Sequence, residues 1–341
     1  MSRRGWLLFA AMCLIWGVPY LLIRVAVRDL SPAMVVFLRT GLGALVLAPV
    51  AMRRGRLADL VARWRPLLLY SAIEVAIPWW FLSDAETHLS SALAGLLLAA
   101  VPLFAILVAW LAGTPEVVDR WRALGLTLGV GGIAALVGLQ LGHIDVVAVG
   151  EVLLTAAGYA VGPVILTRRL ADLPAVGVVA SSLALSSLAW APAAAATWPS
   201  SVSAKAIASV VALALVCTAI AFLVFFALIG EVGPSRATVI TFVNPAVAIA
   251  LGVAVLGERF TVGMAVGFPL VLAGSVLATR LTPASVEPPR SPSRREARWR
   301  RRSAPLPPHA RQSLRRSDRL PTTAPGAAPS DRTSGDHPAA R

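Results

Sequence analysis

This chain has few of the residues that carry out chemistry in water. It holds two cysteines, four histidines, three tyrosines and seventeen acidic residues in 341 positions, and charged residues make up 14% of it. Cys13 and Cys217 both fall inside apolar stretches, so they build no disulfide framework and fit no metal-ligand spacing. Asp84, Glu86 and His88 stand together at 83–88, which reads as a solvated outer loop. A metal there would need further ligands, with His143 and Asp145 as the only candidates, so neither a metal nor a cofactor is expected. No Ser/His/Asp order, paired-carboxylate motif or Walker sequence falls in a loop large enough for a catalytic domain. The run from Gly129 to Gly132 lacks the Lys-Ser/Thr of a phosphate loop, so ATP coupling has no place to sit. Lysine occurs once, at Lys205, against thirty arginines, a bias that suggests a GC-rich, bacterial source.

What is there is apolar. Hydrophobic residues form 57% of the chain, far from the mix of an average soluble domain. A hydrocarbon core about 30 Å thick takes roughly 20 apolar residues as a helix. Ten stretches answer to that: 6–23, 32–52, 66–82, 89–112, 123–141, 146–167, 175–196, 206–229, 237–256 and 262–279. They are rich in Leu, Ala, Val and Gly without period-2 alternation, which predicts helices and argues against a β-barrel. The least apolar are 66–82, which holds Glu74, and 146–167, which holds Glu151.

An even number of spans puts both termini on one side. That side collects Arg3, Arg4, Arg53, Arg54, Arg56, Arg63, Arg65, Arg120, Arg122, Arg168, Arg169 and Arg236. The other side has only Arg24, Arg28, Lys205 and Arg259. The positive-inside rule then predicts cytoplasmic termini. The first span follows Arg3 and Arg4 as a signal-peptide core would, but its length and the lack of a small-residue cleavage site before Arg24 predict that it is retained.

Residues 280–341 are a different material, with 11 of the 25 prolines, 14 arginines and 5 acidic residues. Such a segment buries too little apolar surface to offset its ordering entropy and is predicted to be a disordered cytoplasmic tail. Its cluster from Arg290 to Arg302, with Trp299 inside it, suits anionic lipid headgroups at about 1 kcal/mol per basic residue; a solvated tail with no partner is the other reading. Of the net charge of +14, nine units belong to this tail and the rest follow loop orientation, so nucleic acid is not an expected partner.

The two halves repeat each other. Pro102, Glu116, Gly125 and Gly132 recur in the same order as Pro245, Glu258, Gly267 and Gly274, at an offset that is constant to within a single position. Five spans per copy would place the copies upside down relative to each other, the construction many secondary transporters use to give one central site two exits. The predicted architecture is an all-α integral membrane protein of ten helices. It divides into two inverted five-helix repeats, residues 1–141 and 142–279, and the tail 280–341.

The run Thr218-Ala-Ile-Ala-Phe-Leu-Val-Phe-Phe, then Gly233-Pro-Ser-Arg-Ala-Thr, Thr241-Phe-Val-Asn-Pro245, Gly257-Glu258-Arg259 and Gly274, closely resembles the EamA-type domain of the drug/metabolite transporter superfamily. The first half adds Ile15-Trp16-Gly17, Ser31-Pro32, Arg39 and Pro102. The likeness covers about 5–279. Gly113-Thr-Pro-Glu116 departs from the pattern, in which Gly stands directly before Glu. The resemblance implies a ten-span carrier of metabolites, amino acids or drugs across the bacterial inner membrane, often outward. It does not carry a substrate over.

Polar residues inside spans are the candidate site. At 1.5 Å per residue, Arg39 lies roughly 10 Å below the outer boundary and Glu74 roughly 12 Å above the inner one. A lone charge at such depth costs roughly 2.5–3.5 kcal/mol and should face the bundle interior. Arg39 and Glu74 are therefore either a substrate-anchoring cation and a titratable carboxylate, or a structural ion pair, or else Arg39 is bonded to backbone carbonyls. Trp16 and Tyr159 hold nearly equivalent places in the two copies. With Tyr20, Trp79 and Asn244 they form the expected wall of a central substrate site, core packing being the alternative. Trp6, Trp64, Trp110, Trp121 and Trp190 fall where an interfacial aromatic belt is expected. Pro102 and Pro245 are candidate hinges, and Gly125, Gly129, Gly132, Gly263 and Gly267 read as helix-packing positions.

Together these features predict a secondary transporter driven by a proton or substrate gradient, not an enzyme. Its partners would be a small-molecule substrate and the lipid bilayer. The oligomeric state stays open, a homodimer among the options. The rival readings are an integral-membrane enzyme acting on a lipid-linked substrate, which would need His and acidic residues clustered at one membrane face, and a structural or receptor-like membrane protein.

Overall fold

Short polar caps decide where the apolar helices begin. In the computed structural model, which describes residues 1–53, 55, 57–111, 120–139, 145–237 and 239–278, the side chains of Ser2, Ser90, Asp145, Ser203 and Thr261 each accept a backbone N–H two or three residues on. Eight helices are long and apolar enough to cross a membrane. They are α1 (Arg3–Ala26), α2 (Pro32–Arg53), α3 (Trp64–His88), α4 (Ser91–Leu111), α5 (Arg120–Gly138), α6 (Val146–Arg169), α7 (Ala175–Ala196) and α8 (Ala204–Val232). Two shorter apolar helices of 17 residues follow, α9 (Ile240–Leu256) and α10 (Val262–Ala278). Gly233 and Gly257, at φ +82° and +66°, end α8 and α9 in backbone conformations that side chains resist. Among the described residues there is no strand.

Among the described residues each of the ten predicted stretches is mostly helical, including the two that hold Glu74 and Glu151. The tail 280–341, Glu116 with its loop, and His143 lie outside the described residues. One expectation is overturned. Residues 83–88 are not a solvated loop but the last turns of α3, and Glu86 is fully buried. Its charge had ended the apolar run on paper, whereas the helix continues because Arg24 of α1 donates to the backbone carbonyls of Glu86 and Thr87 and so caps its C-terminus.

Two helices are interrupted at matching places. A π-helical turn spans Ser71–Ala76 in α3, and another spans Leu215–Ile220 in α8, its counterpart under the repeat to within a single position. The proline pair behaves unequally. Pro102 follows a 3₁₀ turn at Leu98–Ala100, whereas Pro245 sits within an unbroken α9.

The halves interlock within residues 1–280 and do not form separate lobes. The most extensive packing is α5 on α10 and α2 on α7, followed by α3 on α6 and α1 on α8. Exchanging the first five helices with the last five maps α5–α10, α2–α7 and α4–α9 onto themselves. The same exchange turns α3–α6 into α1–α8 and α4–α6 into α1–α9, and all of these pairs are packed. Between α5 and α10 the backbones nearly touch. A Cβ at Gly132 would lie 2.6 Å from Val271 N, and one at Gly274 would lie 2.6 Å from Gly125 O, so the predicted packing role of these glycines is visible. Gly274→Leu is expected to lower the melting temperature of the purified protein by several degrees or to abolish its monodisperse chromatographic peak, since overpacking a rigid contact costs about 1–3 kcal/mol or more. Gly131→Leu, at a position with nothing within 4 Å, should leave both unchanged.

Candidate substrate site

A buried guanidinium needs acceptors, an anion or an aromatic face. Arg39, 6% exposed on α2, has two of these. Its Cζ lies 3.6 Å from the centroid of the Trp79 ring on α3, and its Nε–H donates to Thr218 Oγ1 on α8 at 3.0 Å. The Thr218 hydroxyl in turn donates to Leu213 O at 2.8 Å, which turns its lone pairs toward Arg39. Among the described residues the guanidinium makes no other hydrogen bond, so its two Nη groups keep their planar fork. Tyr159 of α6, Cys217 of α8, Tyr20 of α1 and Glu86 of α3 lie within Coulomb range of it, and Tyr159 is within hydrogen-bonding reach of Trp79. Five helices, α1, α2, α3, α6 and α8, thus meet around one cation.

An aromatic wall flanks this centre. Trp16 of α1 packs against Phe225 and Phe222 of α8, with centroids 4.7 and 6.1 Å away. Phe222 also belongs to the apolar group around Trp79 and Ala219. Trp80 points away from Arg39 and stacks on Trp190 at 5.4 Å, and the Trp190 indole N–H donates to Ala76 O at 2.9 Å. Trp190 therefore braces α7 on α3 instead of joining the interfacial belt, while Trp6, Trp64, Trp110 and Trp121 are exposed as expected of belt residues.

Of the predicted site residues, Tyr20, Arg39, Trp79 and Tyr159 come together, with Trp16 beside them. Glu74 does not pair with Arg39. It stands in the π turn of α3 and is directed at α6, where a Cβ on Gly162 would collide with its carboxyl group. Its Oε2 is closed off with no hydrogen-bond partner, and Tyr159 and Tyr70 are within Coulomb range. The alternative of an Arg39–Glu74 ion pair is thus not realised. Asn244 stands apart from the Arg39 group. Oriented with its NH₂ toward carbonyls, its amide donates to Cys13 O at 3.2 Å and Ile240 O at 3.0 Å, fastening α9 to α1.

Sequence reasoning missed Thr218 as the Arg39 acceptor, Glu86 as a buried acid, and a set of ties between the halves. Ser2, the N-cap of α1, donates to Glu231 at the end of α8 at 2.5 Å. Asp145, the N-cap of α6, meets His88 at the end of α3 at 3.6 Å. Asp145 stands as far beyond Ser2 as Glu231 stands beyond His88 and Pro245 beyond Pro102, so the spacing carried the signal although the residue types differ. Glu258 reaches across as well, accepting Ser91 N and Ala92 N at 2.8 and 2.9 Å at the start of α4. The Arg24 contact has no counterpart among the described residues. Where α1 and α3 finish, Arg24 clamps the carbonyls of Glu86 and Thr87. Their equivalents at the same offset are Thr167, which bonds only its own helix, and Ile229 and Gly230, where α6 and α8 finish without a comparable contact.

An apolar cleft of about 250 Å³ opens between α2 and α8, lined by residues such as Leu30, Met34, Leu38, Val202 and Val210. It lies apart from Arg39 and offers no charged or polar side chain to orient a ligand.

Comparison with known proteins bears on the family and the fold. A sequence model described as the EamA-like transporter family matches residues 3–138 and 148–280. The chain is 25% identical over 277 residues to a protein named uncharacterized transporter YvbV of Bacillus subtilis, covering 80% of this chain and 90% of that one. It is 30% identical over 270 residues to one named uncharacterized inner membrane transporter YedA of Escherichia coli, covering 74% of this chain and 82% of that one. A crystal structure 22% identical in sequence superposes with a TM-score of 0.57 over 82% of this chain and 98% of its own, a likeness of fold.

Proposed function

The chain belongs to the EamA-like transporter family and is a multi-pass membrane transporter, and from this we propose that it is a secondary carrier with ten spans in two inverted five-helix repeats. It moves a small metabolite, amino acid or drug-like compound outward across the bacterial inner membrane, with both termini in the cytoplasm. The substrate sits among Trp16, Tyr20, Arg39, Trp79 and Tyr159, and the free Nη fork of Arg39 suits a carboxylate or another planar anion on it. Glu74 and Asn244 border this site from α3 and α9, and Pro102 and Pro245 are its hinges. The bilayer is its solvent, with anionic lipid as a partner for the basic tail. The inner-membrane setting follows the printed name of the Escherichia coli relative.

The observation that carries this reading is one pair of duplicated contacts set beside one clamp that has no equivalent among the described residues. Ser2···Glu231 and His88···Asp145 tie α1 to α8 and α3 to α6 in the same manner at opposite ends. Two helix pairs related by an inverted repeat rock against each other if each stays internally tied. Against them stands the Arg24 clamp, which closes α1 on α3 at the outer end, whereas among the described residues no hydrogen bond of that kind joins α6 to α8 at the inner end. This asymmetry supports an inward-facing member of an alternating-access pair.

A substrate-free measurement tests it. In a background with Cys13 and Cys217 replaced by alanine, Phe222→Cys beside Trp16 is expected to react with a membrane-impermeant maleimide from the cytoplasmic face only. Adding Arg24→Ala should raise labelling from the outside severalfold, since removing two charge-assisted bonds shifts the balance by about 1.5–3 kcal/mol or more. Equal labelling from both faces regardless of Arg24, or labelling from outside alone, would overturn the cycle.

A further inference from the structure

Glu86 is the most closed-off carboxyl group of the bundle and belongs to neither the substrate site nor the capping scheme. It is 0% exposed, and neither Oε1 nor Oε2 has a hydrogen-bond partner. Arg24 spends its guanidinium on the backbone carbonyls of Glu86 and Thr87 and leaves the carboxyl group alone. The groups that face Glu86 are Arg24 and Tyr20 of α1, Arg39 of α2 and a second acid, Glu258, from the connection between α9 and α10. Glu258 already has its oxygens on two amide donors, Ser91 N and Ala92 N. Ser91 Oγ is likewise buried and without a partner, and both it and the Glu258 carboxylate crowd the face of Gly252. A closed-off carboxyl group in a dry corner, with a second acid in Coulomb range, takes up one proton or one metal cation. A metal would require more ligands than this corner supplies, because among the described residues no three His, Cys, Asp or Glu side chains converge. A proton needs only one unoccupied oxygen, and Glu86 has two.

We propose that Glu86 is a proton-binding site of the transport cycle, carrying a proton while the outer end is shut by Arg24 and exchanging it with external water when that end opens. The step is a simple transfer: the proton leaves Glu86 Oε for water as the clamp parts, and it returns before the clamp reforms, because a dry carboxylate with no hydrogen-bond donor would oppose closure. Tyr20 lies within Coulomb range of both Glu86 and Arg39. The inference rests on the alternating-access reading above, and its test does not require transport.

Dicyclohexylcarbodiimide adds to protonated carboxyl groups in apolar surroundings. Purified full-length protein treated with it and digested for mass spectrometry is expected to carry an adduct on the peptide containing Glu86. Labelling should fall as pH is raised, be absent in Glu86→Gln, and persist in Glu74→Gln. Arg24→Ala, which opens the outer end, should reduce the adduct severalfold. Two outcomes overturn the proposal: no adduct on Glu86 in wild-type protein that melts cooperatively, or protection of Glu86 by sodium chloride but not choline chloride, which would make the corner a sodium site. If Glu86→Gln does not fold, the wild-type peptide map still decides. Maleimide labelling that fails while the adduct appears would remove the cycle and leave the proton site standing.

Discussion

Replacing Glu258 with alanine is expected to destabilise the protein more than any other single change to a polar side chain. The carboxylate accepts Ser91 N and Ala92 N, both in residues with no exposure, at the first turn of α4. Removing it leaves two N–H groups where water does not reach, and hydrogen bonds to a charged acceptor contribute about 1.5–3 kcal/mol each. The positive end of the α4 dipole loses its counter-charge at the same time. A loss on the order of 3–5 kcal/mol should appear as a collapsed melting temperature or missing folded protein on size-exclusion chromatography. Glu258→Gln keeps one acceptor and should recover about half. Gly252→Ala attacks the same contact from the other side, because its Cβ would run into the Glu258 carboxylate, and should fall between the two. An unchanged melting curve for Glu258→Ala would mean that the tie from the second half of the chain to α4 carries little weight.

That tie illustrates what sequence can and cannot convey. The helices were legible because roughly twenty apolar residues in a row have few other uses, and Arg39 was legible because a charge in such a run is conspicuous. Direction was not legible. Glu74 is turned toward Gly162 of α6 by a π turn, whose extra residue rotates everything beyond it relative to an α-helical wheel. Glu86 was hidden for the opposite reason. Counting charges ends the third span near residue 82, and what extends it to His88 is an arginine far back in the chain, at the end of α1. The ties Ser2···Glu231 and His88···Asp145 keep the spacing of the repeat with different residue types, so a search for identical residues passes over them. Asn244 was conspicuous as an amide in a span, but only the neighbouring carbonyl of Cys13 shows that it fastens α1 to α9.

Arg39→Met is expected to abolish transport while leaving the fold intact, and the reason lies in the partners of the guanidinium. Loss of one member of a buried ion pair typically costs about 3–5 kcal/mol because the other charge is stranded. Among the described residues Arg39 has no carboxylate partner; it rests on the Trp79 ring and on a Thr218 hydroxyl that already donates to Leu213 O. Methionine fills similar volume, keeps contact with the indole, and strands nothing charged. A melting temperature within a few degrees of wild type is therefore expected. Function should behave differently. If the free fork holds an anionic group of the substrate, its loss removes a charge-assisted contact of about 1.5–3 kcal/mol, a drop in affinity on the order of ten- to a hundredfold. The measurement is untargeted metabolite profiling of a deletion strain carrying wild-type or variant protein at matched membrane abundance. The compounds displaced by wild type should stay at deletion-strain levels with Arg39→Met, and Arg39→Lys should recover only part because an ammonium cannot form the fork. Glu74→Gln combined with Arg39→Met should give effects on stability that add within about 0.5 kcal/mol, as expected of side chains that do not touch. Strong coupling between them would instead restore the ion pair that this arrangement of α2, α3 and α6 rules out. Full transport by Arg39→Met would remove the guanidinium from the substrate site altogether.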